Sequence, residues 1–301
     1  MASKSGRGAL LKQKRRTGAL MVSPSLLLLG VFILFPIVRS LYLSFFEWNL
    51  ASNVRSYTGF GNYIEIFQDE RFWNAMLRTF LYTGMYVPIL LLVSLLLAVG
   101  LTRDHSYNKV LRSVFFLPAI TSMAIIAIVW RFLLDSNVGL VPGWFRAIGL
   151  PVVDVLRNPS LALPAIAGVT VWRWAGFNMV ILLAGLNTIP DSYYETADMD
   201  GASEIRKFFS ITLPLLVPSL SFVLITNLIA SFQVFDPVYV MTKGGPLFST
   251  EVMVYHIYFK AFEVYEMGYA SALAYVLFLV IIVFTLFQLR RFIRTEREMG
   301  L

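Results

Sequence analysis

Six long runs of the chain are apolar and almost free of charge. They cover residues 20–38, 79–102, 113–130, 158–190, 208–235 and 267–289, and the only charged residue among them is Arg173. A helix needs about 20 mainly apolar residues to cross the hydrocarbon layer of a bilayer. The third run is short, so we expect it to continue past Arg131 to Leu134. The runs predict an all-α fold, a polytopic membrane bundle of six transmembrane helices.

Composition agrees with this fold class. Hydrophobic residues make up 57% of the chain and charged residues only 14%, whereas soluble domains carry about 25% charged residues. The chain has no cysteine, which excludes disulfides and thiolate metal sites. The two histidines, His105 and His256, are expected in loops, so we expect no metal pair from them.

The distribution of basic residues predicts the orientation. With the N-terminus inside, the inner segments 1–16, 103–112, 191–207 and 290–301 hold 15 Lys and Arg, against 6 in the outer loops 46–74, 135–157 and 236–266. The positive-inside rule therefore places both termini in the cytoplasm. The basic stretch KQKRR precedes the first run. A cleaved signal peptide is the alternative there, but no small-residue cleavage site clearly follows, so we expect an uncleaved first helix.

A polar stretch between the fourth and fifth runs, ETADMDGASEIRKFFSITLP at 195–214, interrupts the apolar pattern. Ser192 and Glu195 have capping-box spacing, which predicts a short helix beginning at Tyr193. Gly201 is suited to end that helix, and a second amphipathic stretch follows at 203–211. Segment 191–207 holds five acids and two bases. This charge suits a protein groove better than an anionic membrane surface.

This stretch resembles the signature loop of the membrane-spanning subunits, or permeases, of ABC importers. The pattern is Glu-Ala-Ala, three residues, Gly, nine residues, then Ile-x-Leu-Pro, with Thr196 in place of the first Ala. In that family the loop forms a cytoplasmic coupling helix that sits in a cleft of the ATPase subunit. The resemblance therefore implies ATPase-coupling roles for Glu195, Ala197, Asp200, Gly201, Ala202 and Pro214.

Further stretches narrow the resemblance to the carbohydrate-type permeases, which include the maltose-type and glycerol-phosphate-type subunits. They are FPIVRSLYLSFFEW (35–48), FGNYIEIFQDERFWNAMLRT (60–79), RSVFFLPAITSMAIIAIVW (112–130), WRWAGFNMVILLAGLNTIP (172–190) and MTKGGPLFST (241–250). We expect a basic cytoplasmic tail at 1–17, a six-span permease domain at 18–290 with its coupling loop at 191–211, and a cytoplasmic tail at 291–301.

The resemblance implies a transport subunit, not an enzyme, in the bacterial inner membrane. By the same resemblance, such a subunit is expected to import a sugar or a related polyol phosphate by alternating access. The implied partners are a second homologous permease, an ATP-binding-cassette ATPase dimer that carries the ATP and Mg, membrane lipid, and an extracytoplasmic solute-binding protein. That protein would bind the first outer loop, about 47–74, and the Gly-Gly-Pro loop, which contains residues 244–246. No nucleic-acid partner is expected.

Two helices offer polar groups for a solute path inside the bundle. Thr170, Arg173, Trp174 and Phe177 share one face of the fourth span at i, i+3, i+4 and i+7. The fifth span offers Asn227, Ser231 and Gln233. Aromatic faces with amide and hydroxyl groups suit a sugar. Structural roles remain open. Arg173 can snorkel or pair with a backbone carbonyl, Trp172 and Trp174 can belong to the outer aromatic belt, and Asn227 can bond a neighbouring helix.

Two other classes fit the residues less well. A proton- or sodium-coupled carrier usually needs an acid within the bilayer, and all 18 acidic residues are expected outside the spans. An intramembrane enzyme, for example one acting on a lipid-linked sugar, would need catalytic acids, histidines or nucleophiles at membrane depth. The chain also has no Gly-x-x-x-x-Gly-Lys-Ser/Thr loop for ATP phosphates, so the energy for transport must come from a separate subunit.

Overall fold

The structure is a computed structural model that describes residues 3–52, 54–102 and 105–299, with side chains for 14–52, 55–102 and 105–292. This part of the chain is almost entirely helical. Its α-helices are α1 (Ser3–Leu29), α2 (Phe35–Leu43), α3 (Gly61–Gln68), α4 (Glu70–Gly100), α5 (Ser106–Ile120), α6 (Met123–Leu133), α7 (Leu140–Ala147), α8 (Ala162–Leu186), α9 (Asp191–Met199), α10 (Glu204–Lys207), α11 (Leu213–Leu215), α12 (Val217–Phe232), α13 (Asp236–Met241), α14 (Met253–Tyr258) and α15 (Met267–Met299).

Within the described residues, the π-helical turns Gly30–Leu34 and Phe208–Thr212 join neighbouring helices, and a third, Phe259–Glu263, directly follows α14. One antiparallel hairpin, β1 (Phe46–Asn49) with β2 (Val54–Tyr57), pairs Phe46 with Tyr57 and Asn49 with Val54. The hairpin is absent from the all-α prediction, because its eight paired residues are too few to show a clear alternating pattern.

Four helical stretches in the described residues are long and apolar enough to cross a membrane: Lys14–Leu43, Glu70–Gly100, Ala162–Leu186 and Met267–Phe292. Two bent helix pairs raise the number to six if each pair counts as one span. The apolar runs thus predicted where the spans lie. Their ends differ by several residues, since polar residues such as Glu70 extend the helices beyond the apolar runs.

The third apolar run is not one straight helix, which corrects the expectation of a single helix from 113 to 134. Helices α5 and α6 meet at a bend of 99°. Thr121 and Ser122 lie between them with extended backbone, at ψ 142 and 137. Pro118 lacks the N–H that would bond the preceding turn, so the helix is weakened just before the bend. A second bend, of 64°, separates α11 from α12 between Pro214 and Pro218.

The chain divides into two compact units, Met1–Ile66 with Lys260–Tyr275, and Phe67–Phe259 with Val276–Leu301. In the first unit the hairpin is fixed by the buried amide of Asn62, whose Nδ2 donates to the carbonyls of Ser44 (2.8 Å) and Phe46 (3.0 Å). Gly268 lies so close to the Phe46 carbonyl that a Cβ would overlap it. The start of α15 therefore packs directly on β1.

Helix α8 is the centre of the second unit. One of its ends packs in a core with Tyr82, Tyr86, Leu90 and Ile166. Its other end packs in a core with Met179, Leu182, Leu216 and Val223. At Gly176 a Cβ would overlap the backbone of Phe115, so α5 and α8 touch backbone to backbone. Small residues permit such close approach between membrane helices.

Candidate coupling elbow and solute cavity

The elbow, defined here as residues 191–211, starts with α9. The prediction that this helix begins at Tyr193 with a Ser192–Glu195 capping box is wrong. The helix begins at Asp191, Pro190 is the N-cap, and no side chain caps it. Ser192 therefore lies inside the first turn, where its carbonyl accepts a hydrogen bond from Thr196 Oγ1 at 2.8 Å. Pro190, with φ of −64, directs the chain into the helix before Ser192 can act as a cap.

The end of α9 is as expected from Gly201. This residue has φ +69. Its N–H donates to the Asp198 carbonyl at 3.0 Å, and the Ala202 N–H donates to the Ala197 carbonyl at 2.9 Å. These two bonds form a Schellman motif, which requires a left-handed residue at the position of Gly201. The elbow therefore reverses direction at a defined point and continues into α10.

Two side-chain contacts tie α9 to the residues after the turn. Lys207 Nζ lies 2.8 Å from Asp198 Oδ1 and 2.5 Å from Glu204 Oε1. The hydroxyls of Tyr194 and Thr212 are 2.9 Å apart. Lys207 is not among the residues predicted from the sequence. The only signal was a basic residue nine positions after an acid across a predicted turn.

The remaining surface of α9 faces outward. Glu195, Asp200 and Gly201 are exposed, whereas Ala197 and Ala202 are half-buried. Pro214, also half-buried, lies beyond the elbow in α11. Met199 is 82% exposed. The candidate coupling residues thus lie on or beside a small exposed helix that combines acidic side chains with an apolar tip.

A cavity of about 330 Å³ lies among α4, α8, α12 and α13. It brings together five of the seven solute-path candidates: Thr170, Arg173, Trp174, Ser231 and Gln233. Phe177 and Asn227 do not line it. Phe177 shares the predicted face, since its ring centroid lies 5.6 Å from that of Trp174, but it is 40% exposed and outside the cavity lining. Tyr82, Tyr86 and Asp236, which the sequence analysis did not select, also line the cavity.

Arg173 links the cavity to the bend between α5 and α6. Its Nε and NH2 donate to the Thr121 carbonyl at 3.2 and 2.9 Å. That carbonyl is available because the helix ends there. The guanidinium also stacks on the Trp174 ring, 4.3 Å from its centroid. Of the structural alternatives, pairing with a backbone carbonyl is the one present, and the arginine still lines the cavity.

Asn227 lies behind the cavity wall in a buried polar network. Its Oδ1 accepts from Tyr86 Oη at 3.0 Å, and its Nδ2 donates to Asn178 Oδ1 at 2.8 Å. Asn178 in turn donates to the Trp174 carbonyl at 2.9 Å. Ser231 Oγ donates to Thr83 at 3.0 Å. The network joins α4, α8 and α12, and it positions Tyr86 and Ser231, both of which line the cavity.

A buried charge cluster at the start of α4 was also missed. The Glu251 carboxylate is fully buried and accepts from Arg71 Nε at 2.9 Å. His256 Nδ1 lies 2.8 Å from the same carboxylate. The expectation that both histidines fall in loops is therefore wrong for His256, which is buried in α14. Among the residues with a described placement, no group of three or more His, Cys, Asp or Glu could hold a metal ion.

Comparison with known proteins identifies the architecture. Residues 58–295 match the family model of the binding-protein-dependent transport system inner membrane component. A crystal structure of a bacterial ABC transporter that imports the acidic polysaccharide alginate contains a chain with a TM-score of 0.83 and 26% identity, covering 95% of this chain and 99% of that one. A second crystal structure is that of a bacterial alginate ABC transporter in complex with an alginate pentasaccharide-bound periplasmic protein. It contains a chain with a TM-score of 0.81 and 25% identity, covering 93% of this chain and 95% of that one.

Curated relatives cover almost the whole chain. The sulfoquinovosyl glycerol permease SmoG of Agrobacterium fabrum is 35% identical over 94% of this chain and 92% of its own length. The lactose permease LacF of Rhizobium radiobacter is 33% identical over 94% and 96%. The sn-glycerol-3-phosphate permease UgpA of Yersinia pestis is 30% identical over 90% and 92%.

The resemblance to carbohydrate-type permeases is confirmed. In such systems ATP hydrolysis resides on a separate ATPase, and this chain is the transport component. The chain belongs to the family of binding-protein-dependent transport system inner membrane components, the multi-pass permease subunits of ABC importers.

Proposed function

We propose that this permease passes a sugar or a related polyol phosphate through the cavity lined by Arg173 and Trp174, by alternating access. The cavity combines what such a solute needs: an aromatic face, hydroxyl and amide groups, and one guanidinium. Arginine can hold phosphate or another anion through paired hydrogen bonds. Relatives named for sulfoquinovosyl glycerol, sn-glycerol-3-phosphate and lactose support this solute class.

The partner set is the second part of the proposal. A homologous permease supplies the other half of the path, and an ATPase dimer binds the exposed elbow. Both termini lie in the cytoplasm, as the charge asymmetry favours. An extracytoplasmic binding protein, of the kind present in the alginate transporter, delivers the solute. The first outer loop and the Gly-Gly-Pro loop receive it. The exposure of Leu247 in the Gly-Gly-Pro loop supports this docking surface. Its side chain is 84% exposed, whereas the nearby Thr250 and Glu251 are fully buried and fix the loop.

Uptake into proteoliposomes tests the proposal. The complete complex is supplied with binding protein and with labelled lactose or sn-glycerol 3-phosphate. We expect import of at least one of them to need both internal ATP and the binding protein, because differential contacts in two states drive the cycle. A secondary carrier would instead import solute under an imposed proton gradient without ATP. That result would refute the proposed function.

A further inference from the structure

Lys207 is a buried cation in an otherwise exposed, acidic elbow. Its side chain is 9% exposed, whereas those of its partners Asp198 and Glu204 are 61% and 89% exposed. Lysine is almost never buried unless it is paired. Asp198 lies in α9, whereas Glu204 lies in α10, the same helix as Lys207. The ion pair with Asp198 therefore joins the exposed helix α9 to a buried side chain of α10.

Tyr194 packs α9 against an apolar core, but side-chain hydrogen bonds from α9 across the turn are few. Within the described residues, the hydroxyl pair of Tyr194 and Thr212 is the other side-chain hydrogen bond from α9 to a residue beyond the Gly201 turn. Charge-assisted hydrogen bonds are roughly twice as strong as neutral ones. The contact of Lys207 with Asp198 is thus the principal side-chain link between α9 and α10.

Helix α10 continues toward the cavity without a loop. It passes into the π-helical turn Phe208–Thr212, then α11 and α12. The last turn of α12 contributes Ala230 and Ser231 to the cavity wall. A force applied to α9 therefore has a helical route to the cavity, bent by 64° between α11 and α12, provided that α9 is fixed to α10.

We propose that Lys207 is a positioning residue of the transport cycle, which locks α9 to α10 so that movement of the docked elbow reaches α12 and the cavity. This inference rests on the proposed function. Without Lys207, the ATPase would still dock on the exposed residues of α9 and would still hydrolyse ATP. Part of that movement would be lost at the Gly201 turn.

A cysteine at the cavity provides a readout that needs no known solute. The chain has no natural cysteine, and Ala230 is exposed and lines the cavity. In the Ala230→Cys background, the assembled complex with ATPase and binding protein is treated with a maleimide, either without nucleotide or trapped with ATP and vanadate. We expect the labelling rate to differ about five-fold between the two states, since alternating access changes exposure of the cavity.

Lys207→Met should reduce that difference to below about 1.5-fold while ATP hydrolysis stays within about two-fold of the unaltered rate, because docking and hydrolysis do not use the lysine. Lys207→Arg keeps the charge and should restore at least half of the difference. Arg157→Gln removes an exposed, ion-paired cation that lies outside the elbow and should leave the difference unchanged. If Lys207 only stabilised the fold, its replacement would not lower the labelling difference while leaving ATP hydrolysis intact.

If the Lys207→Met complex fails to assemble, the Asp198→Asn variant provides the test instead. It keeps the lysine and weakens the link from the exposed side, so we expect the labelling difference to fall at least two-fold, as about 0.4 kcal/mol of lost coupling would produce. A full labelling difference in Asp198→Asn, or in an assembled Lys207→Met complex, would overturn the inference. No nucleotide-dependent difference in the unaltered Ala230→Cys complex would instead refute the proposed function.

Discussion

Gly201→Val should reduce ATP-driven import at least about tenfold. Gly201 has φ +69, and a left-handed conformation costs an L-residue about 1–2 kcal/mol, with the cost higher for a β-branched side chain. Each 1.4 kcal/mol is a factor of about ten in an equilibrium. Valine would therefore displace the turn and break the bonds to the carbonyls of Ala197 and Asp198. The initial rate of uptake into proteoliposomes measures the effect.

Two controls isolate the cause. Gly201→Asn should keep import within about three-fold of the unaltered rate, because asparagine tolerates the left-handed region. Gly149→Val places the same residue at another exposed left-handed glycine, φ +75, with no atom within 4 Å of its Cβ. It lies after α7, far from the elbow in sequence. Equal import by Gly149→Val and Gly201→Val would contradict the role of the elbow.

Arg173→Gln should lower uptake by about ten- to a hundred-fold. The substitution removes the cavity's guanidinium and its two hydrogen bonds to the Thr121 carbonyl. A hydrogen bond to a charged group contributes about 1.5–3 kcal/mol, so the bend between α5 and α6 loses its fixed position beside the cavity. Initial uptake rates at several solute concentrations separate weaker binding from slower transport.

Arg131→Gln is the matched control for this effect. Arg131 also donates to a backbone carbonyl, that of Val240 at 3.2 Å, but it does not line the cavity. Its replacement should change uptake less than three-fold, since exposed polar contacts contribute little. Arg173→Lys keeps the charge without the planar fork and should be intermediate. Unchanged uptake in Arg173→Gln would remove Arg173 from the solute path.

Features of the fold that depend on a short stretch of sequence were predictable. Apolar runs of about 20 residues locate the spans because that is the length needed to cross the hydrocarbon layer. Gly201 marks the end of α9 because the left-handed turn needs that residue type. The start of α9 was predicted wrongly, because the sequence contains two plausible start signals. Ser192 and Glu195 have capping-box spacing, but the helix begins at Asp191, directly after Pro190.

Other features depend on partners distant in sequence. Arg173 contacts Thr121 across 52 residues, and Arg71 contacts Glu251 across 180. Asn227 has the right spacing for the cavity but is taken up by Tyr86 and Asn178 from two other helices. Periodicity places a side chain on a face of its own helix. It does not determine which neighbouring helix covers that face, so it could not separate lining residues from buried network residues.

Site-directed crosslinking tests the central claim most directly, namely that the elbow is where the ATPase docks. Met199, 82% exposed at the end of α9, is replaced by cysteine in this naturally cysteine-free chain and labelled with a maleimide photo-crosslinker. Val138, 65% exposed after α6, receives the same label as the matched control. We expect Met199→Cys to crosslink to the ATPase subunit in the assembled complex and Val138→Cys not to do so. An ATPase adduct from Val138→Cys with none from Met199→Cys would contradict the account.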